Sequence, residues 1–133
     1  MAGVRRFNAM INNSPTIAET LGADMTNVPH RAVMYDTNGN VVLATAGDAA
    51  IGVVLSSTME PLTAGAQVSI LIKNIGLVEA GAIIAKGDLL TVNADGVVVP
   101  ATSGDGIFGR AFTAAGAPGE IIQVQINFMG YAA

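Results

Sequence analysis

Apolar positions alternate with polar ones most cleanly near the end of the chain. Ile122, Val124, Ile126 and Phe128 alternate with Gln123, Gln125 and Asn127, the period-two signature of a strand with one apolar face. The other face is polar but uncharged, so it can lie in water or against a partner at modest cost. Val68, Ile70 and Ile72 alternate in the same way with Gln67, Ser69 and Lys73, and Leu71 interrupts their polar face. Residues 75–80, 89–92 and 97–99 are further candidate strands, with Ala94-Asp95-Gly96 as a turn between the last two. Residues 31–36 and 41–45 flank Thr37-Asn38-Gly39-Asn40. Asn-Gly is the pair best suited to the positive φ angles of a tight hairpin.

Sixteen glycines fall mostly between these apolar runs, and no stretch keeps a helical period long enough to form a core helix. The pattern predicts an all-β fold, a small β-barrel or sandwich over residues 30–133. Residues 1–29 read differently. They carry Pro15, Pro29 and several Asn and Thr without sustained alternation. Ser14-Pro15 can cap a short helix with Ile17 and Leu21 on one face and Gly22 at its end, or the segment is an extended N-terminal arm. The arm is the reading adopted. An internal echo also appears: Ile51-Gly52-Val53-Val54, Ala64-Gly65 and Gln67-Val68-Ser69-Ile70 resemble Phe108-Gly109-Arg110-Ala111, Pro118-Gly119 and Gln123-Val124-Gln125-Ile126. Two such units suggest paired halves of one barrel.

Composition changes the picture from fold to function. Only 12% of the 133 residues are charged and 51% are hydrophobic, against about 25% charged in ordinary domains. A monomer of this size exposes roughly 6,500 Å², more than its few charges cover well, so other protein is expected to cover part of it. The net charge of −4 argues against a nucleic-acid surface, which needs clustered Lys and Arg. The chain has no cysteine and one histidine, His30. That removes thiol catalysis and thiolate metal sites. No signal peptide is expected after Arg5-Arg6, because Asn8, Asn12, Asn13 and Pro15 interrupt any apolar run. The apolar stretch 68–85 contains Lys73, Asn74, Glu79 and two glycines, so no membrane span is expected.

The motifs that formally suggest chemistry fail on context. Gly104-Asp105-Gly106-Ile107-Phe108-Gly109 matches G-x-G-x-x-G, but Gly116, Pro118 and Gly119 follow too soon for the helix that a dinucleotide site requires. Gly81 to Asp88 lacks the Lys-Ser/Thr ending of a phosphate loop. Asn12-Asn13-Ser14 fits a glycosylation acceptor without a secretion signal before it. His30 has no nucleophile motif near it, and Asp36, Asp48, Asp88, Asp95 and Asp105 all neighbour glycine or turn residues, where Asp caps backbone N–H groups. No catalytic residue, metal or cofactor is assigned. Arg5-Arg6-Phe7 is the one candidate partner-binding group, since Arg and aromatic residues anchor interfaces.

The ordered run Ala46-Gly47-Asp48, Ile51-Gly52-Val53, Ala64-Gly65, Val78-Glu79-Ala80-Gly81, Lys86-Gly87-Asp88-Leu89-Leu90, Asp95-Gly96 and Gly109-Arg110-Ala111 resembles small tailed-phage capsid decoration, or cement, proteins of the DUF2190-like family. The resemblance covers roughly residues 46–128, with Lys86 inserted in the "A-G-D" motif. It implies a non-enzymatic β protein, made in the host cytoplasm, that sits on the capsid exterior of a virion and clamps neighbouring major capsid protein subunits. It also implies a homo-oligomer, commonly a trimer. The alternatives are a head-fibre base or tail component, which would continue into a repetitive shaft where this chain stops at Tyr131-Ala132-Ala133, and a small ligand-binding β-barrel.

Overall fold

The structure is a computed structural model that describes residues 14–25, 29–55 and 62–133. Among them are ten strands: β1 (Thr16–Thr20), β2 (Ala32–Tyr35), β3 (Val41–Leu43), β4 (Ala50–Val54), β5 (Gln67–Leu71), β6 (Asn74–Glu79), β7 (Leu89–Val92), β8 (Val98–Pro100), β9 (Gly109–Ala111) and β10 (Ile121–Ile126). They make two antiparallel five-stranded sheets, ordered β1-β5-β4-β2-β3 and β6-β10-β9-β7-β8. The only helical turns among the described residues are two 3-10 segments, Gly47–Ala49 and Ala94–Gly96. The fold is all-β, as the alternation predicted.

The two sheets have the same topology, and equivalent bonds close each of them. Leu21, just after β1, bridges Val41 of β3, and Ala80, just after β6, bridges Val98 of β8. Gly22 donates to Val41 O at 2.9 Å, and Gly81 to Val98 O at 2.8 Å. Each sheet therefore links its own two edges, leaving little unpaired edge to recruit another chain. The correspondence runs further: His30 N bonds Val54 O where Gly87 N bonds Ala111 O, and His30 and Gly87 both have positive φ. The echo seen in sequence is β4–β5 against β9–β10. Its two units lie in different sheets, so the expectation of two halves of one barrel is corrected to two rolled sheets packed together.

Packing follows the alternation. In the first sheet Val33, Val41, Val54, Val68 and Ile70 point inward and are covered by Leu21 and Met25. Ala32, Val53 and Leu71, on the opposite face, join the core of the second sheet with Leu90, Val98, Phe108, Ile122 and Val124. Leu71, the residue that interrupts the polar face of β5, is thus the contact between sheets. A Cβ on Gly76 would collide with its side chain.

The segment read as an arm is corrected over residues 14–25. β1 pairs along its length with β5, from Thr16 opposite Leu71 to Thr20 opposite Gln67, and Leu21 is buried. The helix reading fails there too. A spacing of four between Ile17 and Leu21 suits one face of a helix and one face of a strand alike, and pairing with β5 selects the strand. Residues 1–13 lie outside the described residues, and with them Arg5, Arg6 and Phe7. Phe128 is a second correction: β10 ends at Ile126, and Phe128 is exposed, meeting Tyr131 edge-on at 6.1 Å.

Candidate interaction surface

Three of the five turn aspartates, Asp36, Asp88 and Asp105, do the local work expected of them. Asp36 accepts from the N–H groups of Asn38 (2.8 Å) and Asn40 (3.0 Å), Asp88 from Ala85 N at 2.9 Å, and Asp105 from Thr102 N at 2.8 Å. Among the described residues no group of three His, Cys, Asp or Glu is placed to hold a metal ion. The G-x-G-x-x-G match is a loop whose Gly106 bridges Tyr131, and β9 follows it rather than a helix. Residues 85–88 form a turn around Gly87, with φ +94°. No helix among the described residues is long and apolar enough to cross a membrane.

Two concavities stand out among the described residues. A cleft of about 250 Å³ lies where the sheets meet, lined by His30, Leu55, Leu71, Ile75 and Leu77. His30 Nδ1 stands 3.3 Å from Leu77 O, and its own carbonyl accepts from Glu79 N at 2.8 Å. The histidine ties the sheets together, and its only side-chain partner is a backbone carbonyl. Beside it the Arg31 guanidinium grips Glu79 through Nε–Oε1 (3.3 Å) and Nη2–Oε2 (3.0 Å), and its Nη1 donates to Asp95 O at 3.0 Å. A second concavity of about 370 Å³ is lined by Asp48, Asn93, Asp105 and Tyr131. The first is walled mainly by apolar side chains and backbone, and the second gathers the polar side chains of Thr45, Asp48, Thr91, Asn93 and Asp105 from separate turns and strands.

Among the described residues Tyr35 is the one group whose acidity is clearly altered. Its hydroxyl donates a short hydrogen bond to Glu19 Oε2. That bond, then partial burial, then the Glu19 charge hold the phenol above its usual value of about 10. A raised folded value means that the associated stability is fully present below the unfolded value and is lost as pH rises through the folded one. In a Tyr131→Phe background, the absorbance titration of Tyr35 should therefore lie above pH 10, and Glu19→Gln should lower its midpoint. An unchanged midpoint would show that Glu19 does not control it.

Among the described residues, one strand face is left apolar and exposed. Ile75, Leu77 and Ile121 lie on the outward face of β6 and β10, 52%, 45% and 43% exposed. Gln123 and Gln125 pair opposite Leu77 and Ile75 on the same face. The sequence signal was present but unused: residues 75–78 run Ile-Gly-Leu-Val without a polar position, and a strand apolar on both faces has both faces covered.

This geometry has a counterpart among solved structures. The fold is similar to that of a solved phage head-fibre base. The chain is similar to the head fiber gp8.5 N base of bacteriophage phi29, with a TM-score of 0.62 and 21% sequence identity over 89% of this chain and 98% of that one. At that identity the likeness speaks to the fold. No protein-family profile matches the chain, and no curated protein does.

Proposed function

We propose that this protein is a structural, non-enzymatic component of a phage virion, a homotrimer on the capsid exterior that decorates the head and clamps neighbouring major capsid protein subunits, as in DUF2190-like cement proteins. The observation that carries the virion role is the likeness of the whole described fold to a head-fibre base, spanning 98% of that chain. It is supported by acids engaged in turns and by a surface poor in charge. The same likeness favours a second reading, in which the protein is the base of a head fibre. Residues 1–13, with Arg5, Arg6 and Phe7, are the proposed capsid anchor; neither reading calls for a cofactor, nucleic acid or membrane.

The test is to add the purified protein to heads that lack it and to image them. Density at regular lattice positions, with heads that withstand greater heat, is expected for a cement; isolated projections without a gain in head stability point to the fibre base. No binding overturns both. Deleting residues 2–13 should weaken binding at least tenfold while leaving the circular dichroism spectrum unchanged, because Arg5, Arg6 and Phe7 are of the residue types that anchor interfaces and the described strands all lie outside the deleted segment. Wild-type binding by the truncated protein would move the contact to the β body.

A further inference from the structure

The duplicated topology provides an internal control for the exposed face of β6 and β10. The β1–β5 ladder pairs Thr16 with Leu71, Ala18 with Ser69 and Thr20 with Gln67. At the matching rungs the β6–β10 ladder pairs Ile75 with Gln125, Leu77 with Gln123 and Glu79 with Ile121. One backbone arrangement thus carries Thr16, Ala18 and Gln67 outward in the first sheet and Ile75, Leu77 and Ile121 in the second. In the first sheet Leu71 is buried against the second sheet, but Ala18, Gln67 and Ser69 are exposed, so the fold itself does not require apolar side chains at the rungs that match Leu77 and Ile121. Three large apolar side chains half in water at one patch are a cost that burial against another surface removes.

We infer that this face is the self-association surface of the protein, covered by the same face of further copies of the chain. The argument for a copy over a different partner is electrostatic. Around a rotation axis, side chains near the axis meet their own copies, so a charge there would meet the same charge. The centre of this face, Ile75, Leu77, Ile121 and Gln123, avoids that. Its two charges lie at the margin and are engaged within the chain: Glu79 is held by Arg31, and Arg110, opposite Gln125 on β9, donates to Gly87 O at 3.3 Å. Glutamine carries both donors and an acceptor, so Gln123 and Gln125 can pair with their own copies. The face also borders the cleft lined by Leu55 and Leu71, so apolar surface continues from the strands into a depression. The inference deepens the oligomeric part of the proposed function and rests on that part alone, independent of the virion role.

The experiment exchanges the second sheet's residues for those of the first. Sedimentation equilibrium of the full chain at micromolar concentration should give an oligomer for the wild type. Ile75→Thr, Leu77→Ala and Ile121→Gln combined should raise its dissociation constant at least a hundredfold. Leu77→Lys should do the same, whereas Ala18→Lys at the matching rung of the first sheet should leave the mass unchanged. Circular dichroism and melting of each variant establish that it is folded; Leu77→Lys and the triple exchange are alternatives should either fail to fold. A wild-type oligomer that persists in the folded variants overturns the assigned face while leaving the oligomer intact. A monomeric wild type overturns both the face and the oligomer.

Discussion

Phe108→Ala is expected to destabilise the protein by about 3–5 kcal/mol, the usual range for removing a buried aromatic side chain and leaving a cavity. Phe108 is 2% exposed, at the point where the chain enters β9, and its backbone is pinned on both sides, with Phe108 N donating to Leu90 O at 2.7 Å and Phe108 O accepting from Asn127 N at 3.1 Å. Those bonds hinder the local collapse that would fill the hole. It belongs to the cluster that includes the inter-sheet residues Ala32, Val53 and Leu71, so the cavity would open in the core that the two sheets share. Phe128, 49% exposed, is the control. Its replacement forfeits mainly an edge-on contact with Tyr131, worth about 0.5–1.5 kcal/mol. Urea unfolding of the two variants measures the difference, and losses within 1 kcal/mol of each other, roughly the span of that control, would mean that Phe108 is not a core residue.

Gly96→Val should be the most damaging turn substitution. Gly39 and Gly96 occupy equivalent hairpins, β2–β3 and β7–β8, with φ of +80° and +72°. In both, valine incurs the strain of a β-branched residue at positive φ, about 1–3 kcal/mol. At Gly39 an added Cβ meets nothing within 4 Å, so strain acts alone and a loss of roughly 1 kcal/mol or more is expected. At Gly96 the Cβ would collide with the Ala32 carbonyl oxygen and stand 3.0 Å from Ala32 N. Relieving that overlap adds about 1–3 kcal/mol, because the obstacle is backbone of the other sheet. Thermal melts should rank Gly96→Val well below Gly39→Val. Equal midpoints would remove the inter-sheet contact from the explanation, and an unchanged midpoint for Gly39→Val would remove the positive-φ turn.

These two hairpins also show how far local signals reach. Asn38-Gly39 suggests two consecutive positive φ angles, yet only Gly39 has one; Asp36 takes up the turn instead, its N donating to Asn40 O at 2.7 Å and its O accepting from Gly39 N at 3.2 Å. This is the three-residue hairpin that ends in a left-handed glycine. At Ala94-Asp95-Gly96 both Asp95 and Gly96 have positive φ. The position of each turn was legible from residue type, while its geometry depended on where the flanking strands paired.

The sequence by itself determined the strand period of β5 and β10, the turns between most strands, the use of Asp36, Asp88 and Asp105 as turn caps and the poverty of groups for chemistry. These are local properties: period-two alternation, glycine at positive φ and short side-chain bonds to nearby backbone depend on a few adjacent residues. Tertiary structure alone decided that β1 is a strand, because the Ile17 and Leu21 spacing fits either period and pairing with β5 breaks the tie. It decided that the repeated pattern of β4–β5 and β9–β10 builds two rolled sheets, since closure through Leu21–Val41 and Ala80–Val98 joins residues far apart in the chain. It also decided which face of β6 is left outside. Residues 75–78 are apolar throughout, so alternation could not orient them, and burial of Val78 in the second core together with the fit of Gly76 against Leu71 turns Ile75 and Leu77 outward.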